Sequence, residues 1–249
     1  MIDIHAHILP GLDDGARDYE TALMMLQTAQ ESGVTDMIAT PHANQRSRYE
    51  NYVSEELDGR LEILKAAARH VDLSVRVHAG MEVFGTPHLP SLLREGKVMT
   101  LAGSRYLLVE FAFREDPYFM EQTLHRLCRE GVVPIVAHPE RYRAIQDMPD
   151  VLFNWVEAGF HLQINKSSIS GRFGRSAAET AHMMLSYDLA DIVASDAHDT
   201  DRRTTDLSRV QEYLTANYSQ RRAERLLEEN PGRILRDEPL KPGAWRDKR

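Results

Sequence analysis

A single cysteine in 249 residues, Cys128, leaves no partner for an internal disulfide, which fits a reducing cytoplasm. Cysteine-based phosphate chemistry is excluded as well. It needs a thiolate and an arginine closing one phosphate-binding loop, and the residue six beyond Cys128 is Pro134. Cys128 shares a helical pattern with Leu124 and Leu127 and is expected to be a buried, inert thiol. Long apolar runs are missing too. No stretch approaches the roughly 20 residues that span a bilayer, and mean hydropathy is -0.44, so no membrane insertion is expected. A basic excess is absent: 30 Lys and Arg face 38 Asp and Glu, for a net charge of -8. That balance speaks against a nucleic-acid partner, which needs a basic face. With a first strand predicted from Ile2, no cleavable leader is expected ahead of it.

Short strand-like runs alternate with helical patterns along the whole chain. Seven strands are predicted, at 2–7, 35–41, 74–80, 105–111, 132–138, 160–165 and 191–196. Helices are predicted at 18–31, 50–70, 118–130, 148–158, 175–188 and 203–229, the last broken near 217–220. Gly33 and Gly131 stand as stop signals after two of them. Strict alternation of β and α implies a parallel sheet, and this many units point to a distorted (β/α)7 TIM-like barrel. Periodicity does not see closure, so a flat doubly wound sheet is the alternative. One domain is expected over 1–236, followed by a mobile tail at 237–249.

Histidines and carboxylates gather where these strands end. His5 and His7 close the first, His42 follows the second, and Glu82 and Glu110 follow the third and fourth. His138 follows the fifth, while Asp196 and His198 follow the seventh; Asp14 lies in the loop after the first. Barrels of this type build their active sites at the C-terminal ends of strands. Imidazole and carboxylate donors without thiolate suit manganese, iron, zinc or cobalt, not a structural zinc or iron–sulfur site. Nine candidate ligands exceed what one ion uses, so two or three divalent ions are expected, with Glu82 as the bridge. Alternation puts Asp3 on the face of His5 and His7, where it is expected to orient a ligand imidazole. Gln163 and Asn165 form a polar face on the sixth strand, for water, substrate or structural hydrogen bonds. Arg172 and Arg175 are read as loop charge with a possible place on a phosphate rim. The remaining histidines (His70, His78, His88, His125, His161 and His182) are expected on the surface or satisfied in the core.

Together, Asp3-Ile4-His5-Ala6-His7, Asp13-Asp14-Gly15, Thr40-Pro41-His42, Glu82, Glu110, His138-Pro139-Glu140-Arg141-Tyr142 and Ser195-Asp196-Ala197-His198 carry a resemblance. Over residues 1 to about 235 the chain resembles the polymerase-and-histidinol-phosphatase (PHP) superfamily. Within it, the chain looks most like the bacterial manganese-dependent tyrosine-protein phosphatases of capsule and exopolysaccharide loci. The resemblance implies a distorted seven-stranded barrel with a trinuclear site. One ion would take His5, His7, Glu82 and Asp196; a second, Glu82, Glu110 and His138; a third, Asp14, His42 and His198. Arg141 and Arg203 match the family's phosphate-binding arginines, with Arg202 adjoining as the alternative to the latter. The implied activity is hydrolysis of phosphotyrosine in proteins by a hydroxide bridging two ions, in the cytoplasm, opposing a bacterial tyrosine kinase. A small-molecule phosphatase acting on histidinol phosphate or a sugar phosphate is the runner-up. A non-catalytic kinase-binding module is a reading of another class.

Overall fold

The computed structural model describes residues 1–244. Its strands are β1 (Ile2–Ala6), β2 (Asp36–Ala39), β3 (His42–Ala43), β4 (Arg76–Ala79), β5 (Glu82–Phe84), β6 (Tyr106–Glu110), β7 (Val133–Ala137), β8 (His161–Asn165) and β9 (Ile192–Ala194). Every pairing between them is parallel. They form two ladders, in the orders β1-β2-β4 and β3-β5-β6-β7-β8-β9.

The ladders belong to one ring. Only Thr40 and Pro41 separate β2 from β3, and only Gly80 and Met81 separate β4 from β5, so two of the seven expected strands are each interrupted once. Pro41 has no N–H to give to a ladder. Gly80 lies so close to its neighbour that a Cβ there would meet Ile38 Cγ2 at 2.7 Å. The ring closes beyond β9, where Asp196 N donates to His5 O and His7 N donates to Ala197 O, both at 2.9 Å. The expected distorted barrel is observed, and the flat sheet is not.

Register on β1 departs from strict alternation. Asp3 pairs with Met37 and Ala6 with Ala39, a shift that leaves Ile4 and His5 opposite the single residue Ile38. This is a β-bulge. It turns both Ile4 and His5 inward and leaves Asp3 on the outer face with Met37 and Ala6. Inside the barrel, Ile4, Ile38, Leu108, Ile135 and Ile192 fill the lower half. Outside, Met37, Leu107, Val109, Val136 and Leu162 meet the helices, as with Met120, Leu124 and Leu127 of Pro117–Arg129. The glycines after helices Tyr19–Glu31 and Pro117–Arg129 take the left-handed conformation, with φ of 88° at Gly33 and 84° at Gly131. Cys128 corrects an expectation: it faces outward and is exposed. Partial burial nonetheless raises its thiol pKa, which disfavours the thiolate.

The last predicted helix is indeed broken, ending at Asn217 and resuming at Gln220. Ile234 is buried against the barrel. Of the tail expected to be mobile, residues 245–249 lie outside the described residues. Residues 237–244 are held here by Asp237 accepting from Arg105 N (2.8 Å), by Lys241 N donating to Asn230 Oδ1 (2.8 Å) and by Ala244 N donating to Asp188 Oδ2 (2.6 Å). Among the described residues, no helix is long and apolar enough to cross a membrane.

Candidate metal centre

All nine predicted ligands meet at the C-terminal mouth of the ring, and seven of them sit at strand ends or within two residues of one. His5 and His7 leave β1, His42 opens β3, Glu82 opens β5 and Glu110 ends β6, while His138 and Asp196 follow β7 and β9. His138 (φ 36°) and Asp196 (φ 49°) hold left-handed backbone that non-glycine residues rarely adopt. Ligand atoms lie within 4.8 Å of one another in four overlapping groups: His7, Asp14, His42 and His198; His5, His7 and Asp196; His5, Glu82 and His138; and His42, Glu82 and Glu110. Glu82 is fully buried and shared between groups, with Oε1 at 3.0 Å from His138 Nε2 and Oε2 at 2.8 Å from His42 Nδ1.

A second set of residues fixes how these side chains point. Gln163 Oε1 lies 2.8 Å from His5 Nδ1, and Gln163 Nε2 donates to Asn165 Oδ1 (3.0 Å). Asn165 Nδ2 then donates to Asp196 Oδ2 (2.6 Å). That chain places the His5 proton on Nδ1. Asp13 does the same for His7, with Oδ2 at 2.7 Å from Nδ1. Both Nε2 atoms therefore present lone pairs, and they face one another at 3.3 Å. Two such lone pairs repel unless a proton or a cation lies between them. With buried carboxylates on every side, the donor set fits divalent cations.

The expected orienting residue was Asp3, and the bulge corrects this. Asp3 instead accepts from the backbone N–H of His5 (3.3 Å) and Ser195 (3.1 Å), tying β1 to β9. Gln163 and Asp13 hold the imidazoles instead. Asp13 was missed, although it stands in the Asp13-Asp14-Gly15 motif; nothing in the spacing separates the orienting carboxylate from the ligand beside it. His78 and His161 pair with Asp36 and Asp191 at the opposite end of the barrel, away from the centre.

Charge at the centre is strongly coupled. Burial and then the charge of Glu82 push the Glu110 carboxyl up to about 7. Burial alone would raise Glu82 and Asp196, but the imidazoles, His5 foremost, hold both well below the usual carboxylate range. Burial opposes charge on His42 as well, yet Glu82 and Asp14 raise its pKa to about 10. Arg141 Nη1 donates to Asp196 Oδ2 (3.1 Å), and Arg203 Nη2 forms an ion pair with the same oxygen at 2.6 Å. Arg203, not Arg202, is the arginine turned into the centre. The Arg141 guanidinium lies between two rings, 4.6 Å from the centroid of Phe113 and 4.1 Å from that of Phe173.

Residues 1–236 match the family model described as capsular polysaccharide synthesis, CpsB/CapC. The chain belongs to the CpsB/CapC family. Among relatives of this CpsB/CapC chain, the putative tyrosine-protein phosphatase CapC of Staphylococcus aureus is 36% identical over 203 residues, 82% of this chain and 79% of that one. Tyrosine-protein phosphatase YwqE of Bacillus subtilis is 34% identical over the same shares. A solved structure reported for YwqE from Bacillus subtilis and CpsB from Streptococcus pneumoniae, described as unique metal-dependent tyrosine phosphatases, superimposes with a TM-score of 0.89 at 31% identity. It covers 97% of this chain and 99% of that one. A lactonase from Listeria monocytogenes shares the fold alone, with a TM-score of 0.56 at 11% identity.

Proposed function

We propose that this CpsB/CapC chain hydrolyses phosphotyrosine in proteins, using two or three divalent cations, manganese foremost, with iron, zinc or cobalt also suited to the donors. The observation that carries the reading is the convergence of nine imidazole and carboxyl ligands in one mouth with two arginines at its edge. His5, His7, Glu82 and Asp196 would hold one cation, Glu82, Glu110 and His138 a second, and Asp14, His42 and His198 a third. Bound there, the cations supply water of lowered pKa and positive charge against the phosphoryl oxygens. Arg141 and Arg203 offer guanidinium forks to the non-bridging oxygens, which suit bidentate recognition. Tyrosine leaves as a phenolate whose conjugate acid has a pKa of about 10, so little proton donation is required. Water attacks phosphorus in line as the P–O bond to the phenol breaks, with no phosphoenzyme. Exposure of Asp14 (39%) and Phe113 (45%) at the edges of the centre supports access for a protein substrate. The family's link to capsule synthesis supports a cytoplasmic tyrosine kinase of the capsule or exopolysaccharide machinery as that substrate.

The test offers purified protein and manganese a tyrosine-phosphorylated peptide and, separately, histidinol phosphate. The expected outcome is phosphate release from the peptide, lost on chelation and in His42→Ala or His198→Ala protein. Preference for histidinol phosphate would move the chain to the small-molecule class. A covalent phosphohistidine or phosphoaspartate formed during turnover would remove direct attack.

A further inference from the structure

Next to the metal centre lies a second cavity of about 520 Å³ whose lining contrasts with the acidic chain around it. Lys166, Arg172, Arg202 and Arg209 bring four positive charges to it, against Asp201 and Asp206. Among the described residues, none of the four cations is in an ion pair within 4.0 Å. Asp206 Oδ1 is already occupied by the N–H (2.8 Å) and hydroxyl (2.6 Å) of Ser208. Lys166 gives two of its three N–H groups to Thr204 Oγ1 (3.3 Å) and the Asp206 carbonyl (2.5 Å), which leaves one unused. Burial pulls its pKa down to about 8, and the charges of Asp3 and Asp206 only partly oppose that. Arg172 is braced on the Arg202 carbonyl.

Chain connectivity ties this cavity to the metal centre. Lys166 follows Asn165, Arg202 precedes Arg203 and Arg172 precedes Phe173. Asn165 and Arg203 touch Asp196, and Phe173 stacks on Arg141. Consecutive Cα atoms are about 3.8 Å apart, and an extended peptide advances about 3.3 Å per residue. A peptide whose phosphotyrosine occupies the centre would carry its flanking residues, at about 3.3 Å each, over these loops towards the cavity.

We infer that this cavity receives an acidic side chain flanking the phosphotyrosine of the protein substrate. The inference rests on the phosphotyrosine reading above and adds a selectivity that the metals do not supply. Arginine forks match a carboxylate bidentately and Lys166 adds a point charge, so an aspartate or glutamate would make there the direct contact that Asp201 and Asp206, at longer range, do not. The metal centre would accept any aryl phosphate; the cavity would choose among peptides.

The test compares kcat/KM, with manganese, for two phosphotyrosine peptides that differ only in carrying glutamates or glutamines at the three positions on either side. Wild-type protein should favour the acidic peptide about tenfold, through KM, and the preference should shrink as salt rises. In Arg209→Glu protein, and separately in Arg172→Gln, the acidic-to-neutral ratio should fall towards one. Taking the ratio within each protein divides out any general loss of activity. Equal hydrolysis of both peptides by the wild type would overturn the cavity's role and leave phosphotyrosine hydrolysis standing. A preference that survives both substitutions would overturn it too. Failure to hydrolyse either peptide would overturn both readings together.

Discussion

Asp13→Asn tests whether the metal centre depends on a residue that binds no metal itself. The Asp13 carboxylate is 1% exposed and takes three donors: His7 Nδ1 at 2.7 Å, His42 N at 2.9 Å and Gly15 N at 2.9 Å. An amide has one acceptor oxygen and cannot serve all three. If that oxygen faces His7 and His42, the NH2 group meets the Gly15 N–H and two donors collide. If the amide turns over, the NH2 group meets His7 Nδ1 and drives the imidazole proton to Nε2, the nitrogen needed for a cation. The loop has little room to adjust, since a Cβ on Gly15 would already meet His7 O at 2.1 Å. Losing a buried, charge-assisted hydrogen bond costs about 1.5–3 kcal/mol, or roughly ten- to a hundredfold in an equilibrium constant. Outer partners of metal-ligating histidines act on affinity by a similar amount. The assay is manganese dependence of phosphotyrosine-peptide hydrolysis, with circular dichroism to confirm the fold. Half-saturation should move up about ten- to a hundredfold, with most of the turnover recovered at high manganese. Half-saturation within about threefold of wild type would refute the argument that Asp13 sets the His7 tautomer.

Three further predictions follow from the same geometry. In metal-free protein His42 is raised to about 10 and His7 well above its ordinary value, since Glu82, Asp14 and Asp13 outweigh burial. Without a cation the surrounding carboxylates favour the protonated imidazoles, so binding a cation there must displace protons. Calorimetry in buffers of different ionisation enthalpy should therefore show proton release and an affinity that rises with pH; no release between pH 6 and 8 would contradict it. Phe173→Leu removes one ring from the Arg141 sandwich, a contact worth about 1 kcal/mol, so KM for peptide should rise about fivefold while metal dependence stays put. Unchanged KM would show that the stack does not position the guanidinium. Glu140 is fully buried; Oε1 accepts from Asn165 N (3.0 Å) and Ser168 Oγ (2.6 Å), while Oε2 has no partner. Burial raises its pKa from 4.5 to about 7. Because the folded value is the higher one, its protonated form favours folding below pH 4.5, and that stability is lost as pH rises through 7, by about 3 kcal/mol at most. Thermal unfolding of Glu140→Gln should be less dependent on pH between 5 and 8 than that of the wild type, and an identical profile would exclude Glu140 as the cause.

The bulge on β1 marks where reading the sequence stopped being enough. Alternation correctly sent His5 and His7 to the mouth because donor type and strand position are local properties, and the same holds for His42, Glu82, Glu110 and His138. The pattern of strand, helix and strand-end ligand was legible because a parallel barrel repeats it in every unit, each time at the same end. Asp3 was misplaced because a single inserted residue reverses the phase of a strand, and period-2 patterning carries no mark of it. Cys128 was misplaced because two apolar neighbours in sequence do not fix which side of a helix meets the core.

The sequence by itself determined the donor set, the ends of the strands that deliver it and the absence of thiolate or disulfide chemistry. Only the tertiary structure decided that Asp13 and not Asp3 reaches a ligand-candidate imidazole, that Arg203 and not Arg202 enters the centre, and that four cations with no ion pair among the described residues gather beside it. Those facts depend on residues far apart in the chain meeting across the ring. Gln163 reaches His5 over 158 positions and Asn165 reaches Asp196 over 31, and local patterning holds no information about contacts of that span.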